Sequence, residues 1–272
     1  MPDAPASPLR GNRRTAYEPF PGVRYPVPPP DIPDGWQAGP PDVVGVGTMR
    51  SGTTWWWMLL TQHPRFSVLY KELHFFDHHM RVSELDPESY HRYFPRPAGT
   101  ITGEWTPRYM FDYWTIPMLR QAAPEARILV LVRDPLERYL SGLAFTKRNG
   151  HPATHAMLHQ QYSRSLYGHQ LRTLISHFPI GQVLVLQYEQ CVADPVANMR
   201  RTLDFIGLDP GDWHSSVPTG LKVNETRVTK PDLDQATRAA LLAAFQADLD
   251  SVFTLFPGLD PSLWPTMSSK GY

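Results

Sequence analysis

Residues 43–60 constrain the fold of this chain more than any other stretch. They read Val43-Val44-Gly45-Val46-Gly47-Thr48-Met49-Arg50-Ser51-Gly52-Thr53-Thr54-Trp55-Trp56-Trp57-Met58-Leu59-Leu60. Val43 to Val46 is a short apolar run of the kind buried on both faces in a parallel sheet. The chain then turns through Gly47 and Gly52, across small and hydroxylated residues, and enters a helix at Thr53. A strand, a glycine-bearing turn and a helix N-terminus make an anion site. The first-turn N–H groups have no intrahelical acceptor, and the helix dipole favours negative charge there.

The spacing narrows the choice of anion. Gly47 and Gly52 enclose four residues, as in the nucleotide-binding loop G-x-x-x-x-G-K-[ST]. Here Thr53, not lysine, follows the second glycine, and the cation of the loop is Arg50. In triphosphate enzymes that lysine reaches the β- and γ-phosphates and the hydroxyl beside it holds Mg²⁺. A cradle with hydroxyls but a displaced cation argues against an ordinary ATPase or kinase. The alternative is a glycine turn that merely precedes a helix.

The rest of the chain supplies the sheet that such a loop needs. Further strands are expected at 66–70, 101–105, 128–132 and 183–186. They alternate with helices expected at 87–94, 115–123, 136–147, 163–178, 195–206 and 233–256, with a loop over 217–230. That alternation implies a P-loop-like three-layer α/β/α fold with a central parallel sheet. Residues 1–41 are rich in proline, including Pro26, Pro28, Pro29, Pro30, Pro33, Pro40 and Pro41. Such a segment is neither regular helix nor central strand. It is expected to be an N-terminal arm with Tyr17, Phe20, Tyr25 and Trp36 as anchors, ahead of a single domain over 42–272.

Composition bears on partners and compartment. Lysine plus arginine equals aspartate plus glutamate at 26 each, which argues against a nucleic-acid partner or a polybasic membrane anchor. One cysteine, Cys191, allows no intrachain disulfide and fits a reducing compartment. No apolar run approaches the roughly 20 residues of a transmembrane helix. The N-terminus lacks a signal-peptide core, so a cytoplasmic location is expected.

In open parallel sheets, ligands gather beyond the carboxyl ends of the strands. The glycine loop, Glu72 with His74, and Arg133 all fall at such ends. Ser141 lies eight residues past Arg133, about two helical turns on. A guanidinium and a hydroxyl so placed suit a second phosphate. Alternatively, Arg133-Asp134-Pro135 only caps the helix. His74, Asp77 and His78 also permit a metal reading, but no third ligand motif follows, and no metal is expected.

Together these pieces resemble the PAPS-dependent sulfotransferases. Arg50-Ser51-Gly52-Thr53-Thr54-Trp55 is similar to their 5′-phosphosulfate loop. Arg133-Asp134-Pro135-Leu136-Glu137-Arg138-Tyr139-Leu140-Ser141 is similar to their 3′-phosphate motif. Lys71-Glu72-Leu73-His74-Phe75-Phe76-Asp77 and Gly103-Glu104-Trp105-Thr106-Pro107 resemble the heparan-sulfate branch and its bacterial relatives, and Lys222-Val223-Asn224 their C-terminal part.

The resemblance implies residue roles. Arg50, Ser51, Gly52, Thr53, Thr54 and Trp55 would bind the 5′-phosphosulfate and adenine, with Arg50 meeting charge on the leaving oxygen. Arg133 and Ser141 would bind the 3′-phosphate, with Lys222 and Asn224 as further cofactor-binding residues. Glu72 would be the general base, supported by His74. Phe76, Asp77, Trp105 and Arg108 would line the acceptor side. Two positions depart from the pattern: Arg50 stands for the usual lysine, and Trp105 for a lysine of the glycan branch, which Lys71 or Arg108 would replace.

The implied activity is sulfuryl transfer from PAPS, giving PAP, to a hydroxyl of a sugar, glycolipid or small natural product. A homodimer is compatible with it. The alternatives are a non-catalytic PAP-binding protein and a P-loop kinase.

Overall fold

The apolar runs of the sequence become one sheet, because each is bounded by turn residues and too short for a helix. The computed structural model describes residues 28–68, 71–78, 86–150, 154–216, 218–220 and 229–268. Its strands are β1 (Val43–Gly47), β2 (Phe66–Val68), β3 (Ile101–Trp105), β4 (Arg127–Val132) and β5 (Val183–Gln187). They run parallel in the order β2-β3-β1-β4-β5. The expected three-layer α/β/α architecture is therefore what the chain adopts.

The helices are α1 (Thr53–Leu60), α2 (Pro87–His91), α3 (Thr115–Ala122), α4 (Pro135–Arg148), α5 (His155–Ser163), α6 (Tyr167–His177), α7 (Tyr188–Ala193), α8 (Pro195–Ile206), α9 (Gln235–Leu255) and α10 (Pro265–Ser268). Strand side chains alternate between two cores. Val44, Val46, Ile128, Val130, Val132 and Val185 face a layer that includes Leu119, Leu171, Leu249 and Trp264. Val43, Leu129, Leu131, Leu184 and Leu186 face Trp55, Trp56, Trp57, Leu59, Met199 and Leu203. The tryptophan run is thus mostly the packing face of α1 against the sheet.

Helix boundaries differ from expectation in one region. The helix expected over 163–178 is α6, and an additional helix, α5, precedes it; the two are separated by a break around the side chain of Arg138. Its Nε donates to Ser165 Oγ (2.6 Å), and Nη2 donates to the Gln161 carbonyl oxygen. A fully buried guanidinium needs such acceptors, and the last turn of α5 and the break that follows it present them. Helix α5 has little apolar periodicity to betray it, and α7 is too short to show any. Of the arm's anchors, Trp36 is half-buried, while Tyr17, Phe20 and Tyr25 lie outside the described residues. Gln37 bridges Arg96 in an antiparallel pair.

Candidate active site

The strand order puts β1 in the middle of the sheet, so the loop that follows it has elements on both sides. The segment after β2 and the end of β3 lie to one side; Arg133 after β4 and Tyr188 after β5 lie to the other. This is the topological switch point at which open α/β sheets hold ligands.

The loop is braced from within. Thr48 Oγ1 donates to the Leu131 carbonyl oxygen (2.9 Å) and shares a 2.5 Å hydrogen bond with Ser51 Oγ. Ser51 N–H donates to the Thr48 carbonyl oxygen (3.3 Å). Ser51 is fully buried, so its hydroxyl holds the loop's shape rather than facing a ligand as expected. Gly52 precedes α1 with φ +88, and a Cβ there would meet the Tyr188 ring at 2.8 Å, so only glycine fits. No side chain caps α1. Its first-turn donors and the hydroxyls of Thr53 and Thr54 therefore form the cradle.

Arg50 leaves the loop toward α4. Its Nε donates to Ser141 Oγ (3.3 Å), and its guanidinium lies 4.7 Å over the Phe145 ring. Burial lowers its pKa, and repulsion from Arg148 and Arg133 lowers it further, marking a cluster of positive charge there. Arg133 stacks 5.1 Å over Tyr188 and pairs with Glu137 (3.1 Å). Asp134 caps α4 by accepting from Glu137 N–H (3.0 Å). Arg133-Asp134-Pro135 therefore caps the helix and also brings Arg133 to the same flank as Arg50 and Ser141. Trp55 is 6% exposed, edge-on to Trp56 and Tyr188, with Nε1 bonded to the Thr219 carbonyl oxygen (2.9 Å).

On the other flank, His74 joins two carboxylates. Its Nε2 lies 3.0 Å from Glu72 Oε2 and its Nδ1 2.7 Å from Asp77 Oδ2. Ionised carboxylates only accept, so both contacts are satisfied together only by an imidazolium with two N–H groups. Burial opposes that charge, but the bonds and charges of Asp77 and Glu72 outweigh it, and the pKa of His74 is raised. The Glu72 side chain is 35% exposed, against 13% for His74 and 1% for Asp77. Glu72 is therefore the member of the chain that a second molecule can reach. Lys71 Nζ lies 3.7 Å from Glu72 Oε1 and reaches Thr53 Oγ1 (3.5 Å) and Thr54 Oγ1 (3.4 Å).

The segment carrying these groups is irregular, and its N–H groups are held by side chains from β3 onward. Leu73 N–H and His74 N–H donate to Thr106 Oγ1 (3.1 and 3.2 Å), and Phe75 N–H donates to Tyr109 Oη (2.8 Å). Beneath them lies Glu104, fully buried, accepting from Thr106 Oγ1 (2.6 Å), Tyr90 Oη (2.8 Å) and Tyr109 Oη (3.0 Å). Burial raises the Glu104 pKa, and the three hydroxyls oppose that rise. His74 has φ +57, a backbone conformation fixed here by the bonds at both its main-chain N–H and its ring.

Several expected ligand contacts are corrected. Phe76 is fully buried among Phe75, Tyr90 and Tyr109, so it offers an acceptor no surface. Trp105 is also fully buried; it packs on Trp57 and donates Nε1–H to the Gly47 carbonyl oxygen (3.1 Å), bracing the loop from below. Strand alternation is the cause: Trp105 points to the α1 layer and Glu104 to the opposite one. Asp77 acts through His74 and Arg108 (3.6 Å) rather than facing outward. Arg108, also paired with Asp112 (2.5 Å), remains partly exposed beside Asp77. Lys222 and Asn224 lie outside the described residues.

Glu104 and Thr106 belong to a stretch that the resemblance marks, and Tyr109 to an aromatic run that suits an acceptor surface; all three are instead buried beneath the Glu72 segment, and the one local signal of this is a lone carboxylate in a short strand. Among the described residues no cluster of three or more metal-ligating side chains occurs, and no helix is long and apolar enough to cross a membrane.

Residues 40–226 match the family model described as Sulfotransferase domain. Over 183 residues the chain is 30% identical to heparan sulfate glucosamine 3-O-sulfotransferase 3B1 of Mus musculus, covering 62% of this chain and 46% of that protein. It is 30% identical over 182 residues to heparan sulfate glucosamine 3-O-sulfotransferase 6 of Homo sapiens, covering 62% and 52%. The chain thus spans about half the length of the curated relatives it matches. The crystal structure of a sulfotransferase from Alicyclobacillus acidocaldarius superposes with a TM-score of 0.65 at 23% identity, covering 82% of this chain and 98% of that one.

Proposed function

The chain belongs to the sulfotransferase family, and from that premise we propose that it moves a sulfuryl group from PAPS to a hydroxyl of a carbohydrate or other small acceptor. Glu72 is the general base of this reading. The observation that carries it is the half-exposed Glu72 carboxylate, held by His74 on the flank of an uncapped helix N-terminus. PAPS supplies a sulfuryl group whose bond to the 5′-phosphate breaks as the acceptor oxygen bonds to sulfur; the acceptor proton goes to Glu72 and the electron pair to the 5′-phosphate of PAP.

The side chains fit a nucleotide phosphorylated at both ends. The first turn of α1, Thr53, Thr54 and Lys71 surround one anion position. Arg50, Arg133 and Ser141 make a second on the opposite flank. His74 donates one N–H to Glu72 and one to Asp77, which orients the base. Trp105 and Ser51 shape the loop from its buried side.

Calorimetry with PAP, 5′-AMP and ATP tests the donor. PAP is expected to bind far more tightly than either, and equal affinity for PAP and 5′-AMP would sink the assignment. Labelled PAPS offered with a panel of hydroxylated acceptors tests the transfer. The names of the relatives make a heparan sulfate oligosaccharide the first sugar to include, beside a neutral glycoside and a glycolipid.

A further inference from the structure

The turn that joins α5 to α6 carries a buried cation whose own bonds are incomplete. We propose that Arg164, lying across the ring of Phe111, is a carboxylate subsite for the acceptor, so that the acceptor is an acidic sugar or another hydroxylated carboxylic acid. The proposal rests on the sulfuryl-transfer reading above and names the acceptor class of that same site.

Arg164 follows α5 directly and is 9% exposed. Its guanidinium lies 5.0 Å over the Phe111 ring, and its Nε is buried with no hydrogen-bond partner among the described residues. Arg138, also buried, differs in this: Ser165 Oγ accepts from its Nε and the Gln161 carbonyl oxygen from its Nη2. A buried donor without an acceptor is costly, more so when charged, and native folds seldom keep one unless water or a ligand completes it. The carboxylate whose charge acts on Arg164 is that of Asp112, and Asp112 Oδ2 already accepts from Arg108 Nε (2.5 Å). Burial, then repulsion from Arg138 and Arg108, push the Arg164 pKa down to about 9 against the pull of Asp112. An incoming anion would supply the missing bond and offset the surplus positive charge.

The position of Arg164 relates it to the base. Arg108 and Phe111 lie in the stretch that leaves the carboxyl end of β3, on the site's side of the sheet. Arg108 lies 3.6 Å from Asp77, Asp77 bonds His74 (2.7 Å), and His74 bonds Glu72 (3.0 Å). Arg164 stands beyond the far end of this chain of contacts. An acceptor whose hydroxyl meets Glu72 therefore extends past Arg108 toward Arg164. The shape of the donor edge favours a carboxylate over a tetrahedral anion. Nε and the Nη on the same edge form a planar fork that a carboxylate meets with two parallel bonds, and the Phe111 ring fixes that plane.

Methyl β-D-glucuronide and methyl β-D-glucoside differ only in a carboxylate against a hydroxymethyl group. Both are titrated by NMR into protein saturated with PAP, which keeps the phosphate positions filled. Wild type is expected to bind the glucuronide about 10- to 100-fold more tightly, the worth of one charged hydrogen bond. Arg164→Met should bind both sugars alike while keeping its affinity for PAP, which reports an intact fold. If Arg164→Met loses PAP as well, Arg164→Lys decides: it keeps the charge without the fork, and the glucuronide preference should fall several-fold. Equal binding of the two sugars by wild type, including none, overturns the proposal. So does a preference that survives unchanged in Arg164→Met or Arg164→Lys, and a wild type that prefers glucose 6-sulfate to the glucuronide overturns the choice of carboxylate. A wild type that fails to bind PAP overturns the donor reading instead, and the sugar pair titrated without nucleotide then still decides the subsite.

Discussion

Tyr109→Phe tests whether the buried network under the base segment determines its position. The Tyr109 hydroxyl donates to Glu104 Oε1 (3.0 Å) and accepts from Phe75 N–H (2.8 Å), and the residue has no exposed surface. Removing one oxygen leaves the ring packing with Phe76 in place. Glu104 loses one of three hydroxyl donors, a hydrogen bond to a buried charge worth about 1.5–3 kcal/mol. Phe75 N–H loses its acceptor at a cost of about 1–3 kcal/mol. Together the change should cost about 3–5 kcal/mol, the middle of that combined range. At about 2–4 °C per kcal/mol for a domain of this size, Tm should fall by roughly 6–20 °C in a calorimetric scan. Because Phe75 follows His74 directly, the acceptor-side kcat should fall while the affinity for PAP stays near that of wild type. Tyr113→Phe, at a residue 73% exposed, serves as the control and should leave Tm unchanged. A Tm loss below 2 °C in Tyr109→Phe would show that the network does not anchor the segment.

Glu72→Gln keeps the shape of the side chain and its acceptor for His74 but removes the basicity. Turnover should fall about 10²-fold or more with PAP affinity intact; full activity in Glu72→Gln with a dead His74→Ala would move the base to His74. The raised pKa of His74 sets a pH signature. The stability that its charge contributes is fully present below the ring's unfolded value of about 6.5, and is lost as pH rises through the higher folded value. The melting-temperature gap between wild type and Asp77→Asn should therefore be widest near pH 6 and shrink toward pH 9; a gap that widens with pH contradicts the imidazolium. Gly45→Ala would place a Cβ 2.1 Å from the buried Trp105 ring. Overpacking there should cost about 1–3 kcal/mol or more, read as a lower denaturant midpoint; a neutral result would mean that Trp105 can shift without disturbing the loop it braces.

Much of this protein is determined by local sequence. The runs at Val43–Val46, Ile128–Val132 and Val183–Leu186 are apolar throughout and bounded by turn residues, so each reads as a buried parallel strand before any contact is known. The glycines at 47 and 52 and the uncapped entry to α1 come from the same arithmetic, because backbone conformation depends on neighbours in the chain. Arg133 and Ser141 share the flank beside the loop because helical rise links residues eight apart.

What only the tertiary structure decides is which way side chains point and which strand lies beside which. The order β2-β3-β1-β4-β5 is not written in any one segment, yet it places Lys71 and Arg50 on opposite flanks of the loop. Phe76 and Trp105 carry the right residue types for a binding surface, but the pleat and the packed layers turn both inward. Glu104, Thr106 and Tyr109 act on a segment about 30 residues away in sequence, through hydrogen bonds that no periodicity encodes. Chemistry at this site depends on such long-range pairing, because an irregular segment has no ladder of its own and takes its shape from whatever satisfies its N–H groups.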